Sequence, residues 1–159
     1  MAESLASKYR PKTFEDVCAQ KPIIQILKTQ LKNRDFKNAL LFCGSSGCGK
    51  TTCARIFANE INQGFGEPIE IDAAPNNGVE NLRTITKAAK ERALEGEYKI
   101  YIIDETHALT SQSWQAFLKC LEEPPKYTIF IFCTTDPQKI PETILNRVMR
   151  FNFTRIPIE

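Results

Sequence analysis

Two scarcities narrow the chemistry before any motif is read. The six cysteines (Cys18, Cys43, Cys48, Cys53, Cys120 and Cys133) include no C-x-x-C pair, and the single histidine, His107, lies far along the chain from any two of them. Structural zinc wants four such ligands at short spacing, so no zinc site is expected, and the thiols read as free in a reducing compartment. No apolar run is long enough to span a bilayer, and residues 1–10 hold no apolar signal core, so the expected location is cytoplasmic with no membrane partner. Formal net charge is only +2, too little to announce a nucleic-acid partner by bulk charge. The chain also has no internal repeat and no low-complexity tract.

What is present is ordinary in bulk and specific in detail. A length of 159 residues, 42% hydrophobic and 25% charged, suits one soluble domain spanning 1–159 with its own core. The segment Gly44-Ser45-Ser46-Gly47-Cys48-Gly49-Lys50-Thr51 fits the phosphate-loop pattern G-x-x-x-x-G-K-[ST]. An apolar run, Ala39 to Cys43, leads in, and a helical pattern with Ala54, Phe57, Ala58 and Ile61 leads out. Glycines let backbone N–H groups turn toward a triphosphate, and a helix N-terminus favours its negative charge. Ser46, Gly47, Cys48, Gly49, Lys50, Thr51 and Thr52 are therefore the phosphate-binding candidates. Lys50 would reach the β- and γ-phosphates of ATP, and the Thr51 hydroxyl would help hold Mg²⁺.

A second motif, Ile100 to Glu105, is an apolar strand ending in two carboxylates. Adjacent strand residues point to opposite faces, so the two acids take different jobs. Asp104 would orient Mg²⁺ beside Thr51, and Glu105 would polarise an attacking water. Hydroxyls of Thr134 and Thr135, after the apolar run Tyr127 to Cys133, fall at the same sheet edge and can sense the γ-phosphate or hold the lytic water. His107 either couples this acidic pair to a neighbouring surface or caps the next helix, and the second, structural reading is favoured. Arg147 is a surface charge or, in a ring of subunits, a finger reaching the next subunit's triphosphate.

Around these motifs an α/β alternation runs from end to end. A helix opens at Pro22 with Ile24, Leu27 and Leu31. Ile69-Glu70-Ile71 is a short strand. Val79, Leu82, Ile85, Ala89 and Ala93 mark a helix face closing near Gly96. Trp114, Phe117, Leu118 and Leu121 mark another, stopped by Pro124-Pro125. Arg150 to Thr154 is a final strand. Unbroken apolar strands separated by helices predict a parallel sheet covered on both faces, a three-layer P-loop NTPase core over residues 39–153.

Several strings occur in one order: Tyr9-Arg10-Pro11-Lys12-Thr13-Phe14-Glu15-Asp16-Val17, the phosphate loop, Ile103-Asp104-Glu105-Thr106-His107, Leu121-Glu122-Glu123-Pro124-Pro125, Thr134-Thr135-Asp136-Pro137-Gln138-Lys139 and Ile144-Leu145-Asn146-Arg147. Together they closely resemble the bacterial DNA polymerase III gamma/tau subunits, AAA+ ATPases of the sliding-clamp loader. The resemblance implies a five-stranded sheet with the Thr134-Thr135 strand between the loop strand and the Asp104 strand. It implies a base-binding segment at 1–20 in which Tyr9, Arg10, Pro11 and Val17 lie near the adenine. It makes Thr135 the first sensor and Arg147 a finger acting in trans. Implied partners are other clamp-loader subunits, the sliding clamp and, through the assembled complex, primer–template DNA.

Three departures stand out. The stretch Asn62 to Glu67 occupies the place of the family's four-cysteine zinc module. The family's Ser-Arg-Cys triplet reads Asn146-Arg147-Val148, and its Gly-Gln reads Ala19-Gln20. The sequence stops at Glu159, where the family's helical lid would start, so weak nucleotide affinity and negligible turnover are expected of the chain alone. Whether it is a fragment or a pared-down relative is left open, as is a second function: a non-motor, ATP-responsive module docking on replication subunits.

Overall fold

Five apolar strands, each joined to the next by a helix-bearing crossover, form one parallel sheet in the computed structural model, which describes residues 12–17, 20–75, 78–91, 93 and 95–154. The base-binding candidates Tyr9, Arg10 and Pro11 lie outside the described residues, as do Cys18 and Ala19. The strands are β1 (Ala39–Cys43), β2 (Ile69–Asp72), β3 (Lys99–Asp104), β4 (Thr128–Thr134) and β5 (Met149–Asn152). The helices are α1 (Lys21–Asn33), α2 (Lys50–Ile61), α3 (Val79–Ala88), α4 (Ser111–Glu122) and the single turn α5 (Glu142–Leu145). Sheet order is β2-β3-β4-β1-β5, with every pairing parallel. β4 therefore sits between the loop strand β1 and the carboxylate strand β3, as expected.

Period-two alternation sends successive strand residues into two separate cores. Leu40, Phe42, Ile100, Ile102, Ile129, Ile131 and Cys133 pack under α1 and α2 with Leu27, Ala54, Phe57 and Ile61. Leu41, Cys43, Tyr101, Ile103, Phe130 and Phe132 pack under α3 and α4 with Leu82, Trp114, Phe117 and Leu121. The α4 face is an aromatic cluster, with the Phe117 ring edge-on to Phe130 at 5.5 Å and to Phe132 at 5.3 Å. The central strands β1, β3 and β4 are buried almost throughout, while β2, at the edge, is mostly exposed.

Local chemistry sets the ends of these elements. Pro22 sits in the first turn of α1, where its missing N–H costs nothing. Thr110 caps α4 by accepting from the Ser113 N–H at 3.1 Å. The α3 helix stops at Ala88 and does not run on to Ala93. The Lys99 ammonium donates to the Ala88 carbonyl and the Thr128 hydroxyl to the Ala89 carbonyl, both at 2.6 Å, so side chains take acceptors that another helical turn would need. β5 runs from Met149 to Asn152 and not from Arg150 to Thr154, because the Gln20 side chain captures the backbone of Thr154. β4 starts one residue later than the apolar run and ends at Thr134, so Cys133 lies inside it. Among the described residues no helix is long and apolar enough to cross a membrane.

Candidate functional site

At the C-terminal edge of β1 the chain turns through Gly44 to Gly49 into α2. Gly49, the residue before the helix, has φ 91°, a conformation that costs any residue with a Cβ. Gly44 answers a different need: a Cβ there would lie 2.7 Å from Cys48 Sγ. The loop closes over Cys48, which is buried, and leaves Ser45, Ser46 and Gly47 exposed. Gly49, at the N-cap of α2, has no side chain to cap it, so the N–H groups at Lys50, Thr51 and Thr52 suit an anion.

Lys50 is only 7% exposed. Its ammonium donates to the carbonyls of Gly44 at 2.7 Å and Ser45 at 2.9 Å, and lies 3.7 Å from Cys48 Sγ. The cation is thus held inside the loop by partners that it can exchange for phosphate oxygens. Gln20, outside the motif, donates to the Cys48 carbonyl at 3.3 Å and accepts the Thr154 N–H at 2.9 Å. It ties the loop to the end of the sheet from a left-handed backbone conformation. Reading the sequence for charge and hydrophobic period passes over such a residue, because a buried amide carries neither signal.

β3 ends at Asp104, so its alternation places that carboxylate and not Glu105, which follows the strand in a left-handed turn. Asp104 falls on the α2 side, and the Thr51 hydroxyl lies 3.5 Å from its Oδ2. A hydroxyl and an ionised carboxylate side by side are hard oxygen donors of the kind Mg²⁺ takes while keeping several waters, so these residues fit that ion. Among the described residues, no group of three or more His, Cys, Asp or Glu is placed to hold a metal. Glu105 follows with φ 56°, and its backbone N–H donates to Asp104 Oδ1 at 2.9 Å. Its carboxylate lies 3.2 Å from His107 Nε2.

His107 does not cap the next helix, a place that Thr110 takes. Its side chain is 19% exposed, and its other ring nitrogen, Nδ1, lies 2.9 Å from the hydroxyl of Thr134. Thr134, buried at the end of β4, also accepts the Asp136 N–H at 3.0 Å. Thr135, between them, is exposed at the same edge. Thr106 locks the turn from beneath by donating to the Cys133 carbonyl at 3.1 Å.

The structure brings together the loop, Lys50, Thr51, Asp104, Glu105 and the Thr134–Thr135 end of β4, and leaves Arg147 elsewhere. Val17 packs half-buried against the α1 core and lines a groove with Phe14, Lys21 and Ile24. Arg147 lies at the opposite edge of the sheet, just before β5, beside Asn38 and Val148. The length of β1 alone separates it from its own loop by on the order of 15 Å. There its guanidinium is 3.5 Å from Glu122 Oε1.

Burial raises the thiols around the loop. Desolvation pushes Cys53 up to about 11, with nearby Cys48 adding to it, and also raises Cys43 and Cys133. These groups stay neutral at ordinary pH and are packing residues. The five cysteines among the described residues are unpaired.

Residues 68–157 match the family model described as DNA polymerase III, delta subunit. DNA polymerase III subunit tau of Bacillus subtilis is 41% identical over 175 residues, covering 97% of this chain and 31% of that protein. Subunit tau/gamma of Haemophilus influenzae is 43% identical over 169 residues, covering 93% of this chain and 25% of that one. The chain therefore spans a third or less of these relatives' length. A DNA polymerase III gamma subunit-related protein from Thermotoga maritima superposes with TM-score 0.69 at 25% identity, over 82% of this chain and 46% of that one. The RuvB Holliday junction branch migration motor of Thermotoga maritima superposes with TM-score 0.74 at 19% identity, over 92% and 48%, a likeness of fold alone. The fold is that of a P-loop NTPase.

Proposed function

The chain belongs to the DNA polymerase III, delta subunit, family and resembles DNA polymerase III tau/gamma subunits along nearly its whole length, and on that footing we propose that it is an ATP-binding and ATP-hydrolysing motor module of a sliding-clamp loader. One observation carries this reading: Thr51 and Asp104, from separate elements, meet beside Lys50 at the mouth of a glycine-bearing loop and an uncapped helix N-terminus.

The residues divide the work by position. Backbone N–H groups from Ser46 to Thr52 bind the phosphate oxygens, and Lys50 exchanges its loop carbonyls for the β- and γ-phosphates. Thr51 and Asp104 would hold Mg²⁺, which when bound neutralises charge on the β- and γ-phosphates. Glu105 orients a water whose oxygen attacks the γ-phosphorus as the bond to the bridging oxygen breaks, releasing ADP and phosphate. Thr135 contacts the γ-phosphate from the end of β4, while Tyr9, Arg10, Pro11 and Val17 flank the base. Arg147 lies too far from its own loop to serve it, which supports a role at the triphosphate of a neighbouring subunit.

The test is turnover measured as partner clamp-loader subunits, sliding clamp and primed DNA are added in turn. Stepwise stimulation of ATP hydrolysis is expected. Stable capture by those subunits with no turnover at any step would overturn the motor reading and leave a docking module.

A further inference from the structure

We propose that His107 is a positioning residue that couples the end of β4 to the Glu105 carboxylate, so that a contact made by Thr135 resets the orientation of Glu105. The inference rests on the ATPase reading and adds to it a device outside the loop, Asp104 and Arg147.

Four groups from two elements form one unbroken chain of contacts. The Asp136 N–H donates to Thr134 Oγ1 at 3.0 Å, Thr134 Oγ1 lies 2.9 Å from His107 Nδ1, and His107 Nε2 lies 3.2 Å from Glu105 Oε2. Donor and acceptor roles close without conflict. The Thr134 hydroxyl accepts from the amide and donates its own hydrogen to Nδ1, and the imidazole then carries its hydrogen on Nε2 and donates to the carboxylate.

The chain cannot shift at one point alone. Thr134 is 1% exposed and stands opposite Cys43 of β1 in the sheet register, so its hydroxyl is a fixed anchor. Thr135 is the exposed residue held between Thr134 and Asp136 by the short bond across it. A ligand oxygen that draws Thr135 toward the loop strains that bond first. At the other end Glu105 occupies a left-handed backbone conformation, uncommon for a non-glycine residue. With His107 engaged, the carboxylate is tied to the imidazole. With the anchor disturbed, it is free to turn toward an attacking water.

The single histidine makes the test direct, because every imidazole signal of the chain belongs to His107. The full 159-residue chain, ¹⁵N-labelled, is titrated with Mg²⁺ and ATPγS, and separately with Mg²⁺ and ADP, while imidazole nitrogens and loop amides are followed together. Loop amides at Gly47 and Gly49 are expected to move with both nucleotides, and the Nε2 resonance to shift with ATPγS only. Moving loop amides with an imidazole signal identical in both titrations would overturn the coupling and leave the nucleotide site standing. Loop amides that never move would overturn both. In the assembled complex, Thr134→Val removes the hydroxyl at constant shape and frees Glu105 without a ligand at Thr135, so unstimulated kcat is expected to rise on the order of 10-fold toward the stimulated value with KM unchanged. Thr134→Ser should restore the low unstimulated kcat, and equal unstimulated kcat for Thr134→Val and wild type would contradict the coupling.

Discussion

The Thr51 hydroxyl and Asp104 Oδ2 lie 3.5 Å apart although 53 positions of sequence separate them. The meeting follows from the parallel sheet: β1 and β3 both end at one edge, with β4 between them, and α2 starts where β1 stops. Asp104→Asn keeps the shape and removes the charge. Nucleotide affinity is predicted to lose most of its Mg²⁺ dependence, with metal affinity falling on the order of 10- to 100-fold. Titrating Mg²⁺ at fixed nucleotide checks this, and an unchanged Mg²⁺ midpoint would remove Asp104 from the ion's surroundings.

Arg147 is predicted to matter to hydrolysis and not to binding. Its ion pair with Glu122 is half exposed and therefore weak, so the guanidinium leaves it at little cost when a subunit docks. Arg147→Ala should leave ATP binding by the chain intact and lower turnover of the assembled complex by about three to five decades. Comparable turnover by mutant and wild-type complexes would make Arg147 an ordinary surface charge.

Much of this site was legible in the sequence because its parts are local. The phosphate loop is eight consecutive residues, and the alternation through Ile100 to Asp104 already puts Asp104 on the face of Ile100 and Ile102, whereas Glu105 lies past the strand, where alternation does not apply. What was not legible depends on long-range partners. Nothing near His107 announces Thr134, which lies 27 positions away, and nothing near Gln20 announces Thr154, 134 positions away. The end of α3 was misplaced for the same reason. Ala89 and Ala93 continue its apolar period, but Lys99 and Thr128 claim the carbonyls there. Tertiary hydrogen bonds overrode the local pattern.

The aromatic core under α4 predicts a large, function-independent loss of stability. Phe117 is fully buried between Phe130, Phe132 and Trp114. Phe117→Ala should cost about 3–5 kcal/mol and lower Tm by roughly 10 °C. Thermal unfolding followed by circular dichroism reads this directly. A change within a degree or two would mean that the cluster is loosely packed.

Alkaline pH should destabilise the fold through its thiols. The Cys53 thiol titrates near 9 when exposed and is pushed up to about 11 by burial. Between those values the native chain binds more protons than the unfolded one, so stability falls as pH rises, by about 1.4 kcal/mol per unit for one such group. Burial raises Cys43, Cys120 and Cys133 in the same direction. Urea unfolding from pH 8 to 11 should therefore show a steady decline that is shallower in Cys53→Ala. Identical slopes would contradict the assignment.

The measurement that bears most directly on the whole account is equilibrium binding of a fluorescent ATP analogue, with Mg²⁺, to the 159-residue chain and to its Lys50→Ala variant. Lys50 is held inside the loop within reach of the phosphates, and a hydrogen bond from a charged donor contributes about 1.5–3 kcal/mol. Saturable binding by the wild type and a roughly 10- to 100-fold weaker Kd for the variant are predicted. No saturable binding by the wild type, or equal Kd for both proteins, would contradict a triphosphate site built on this loop.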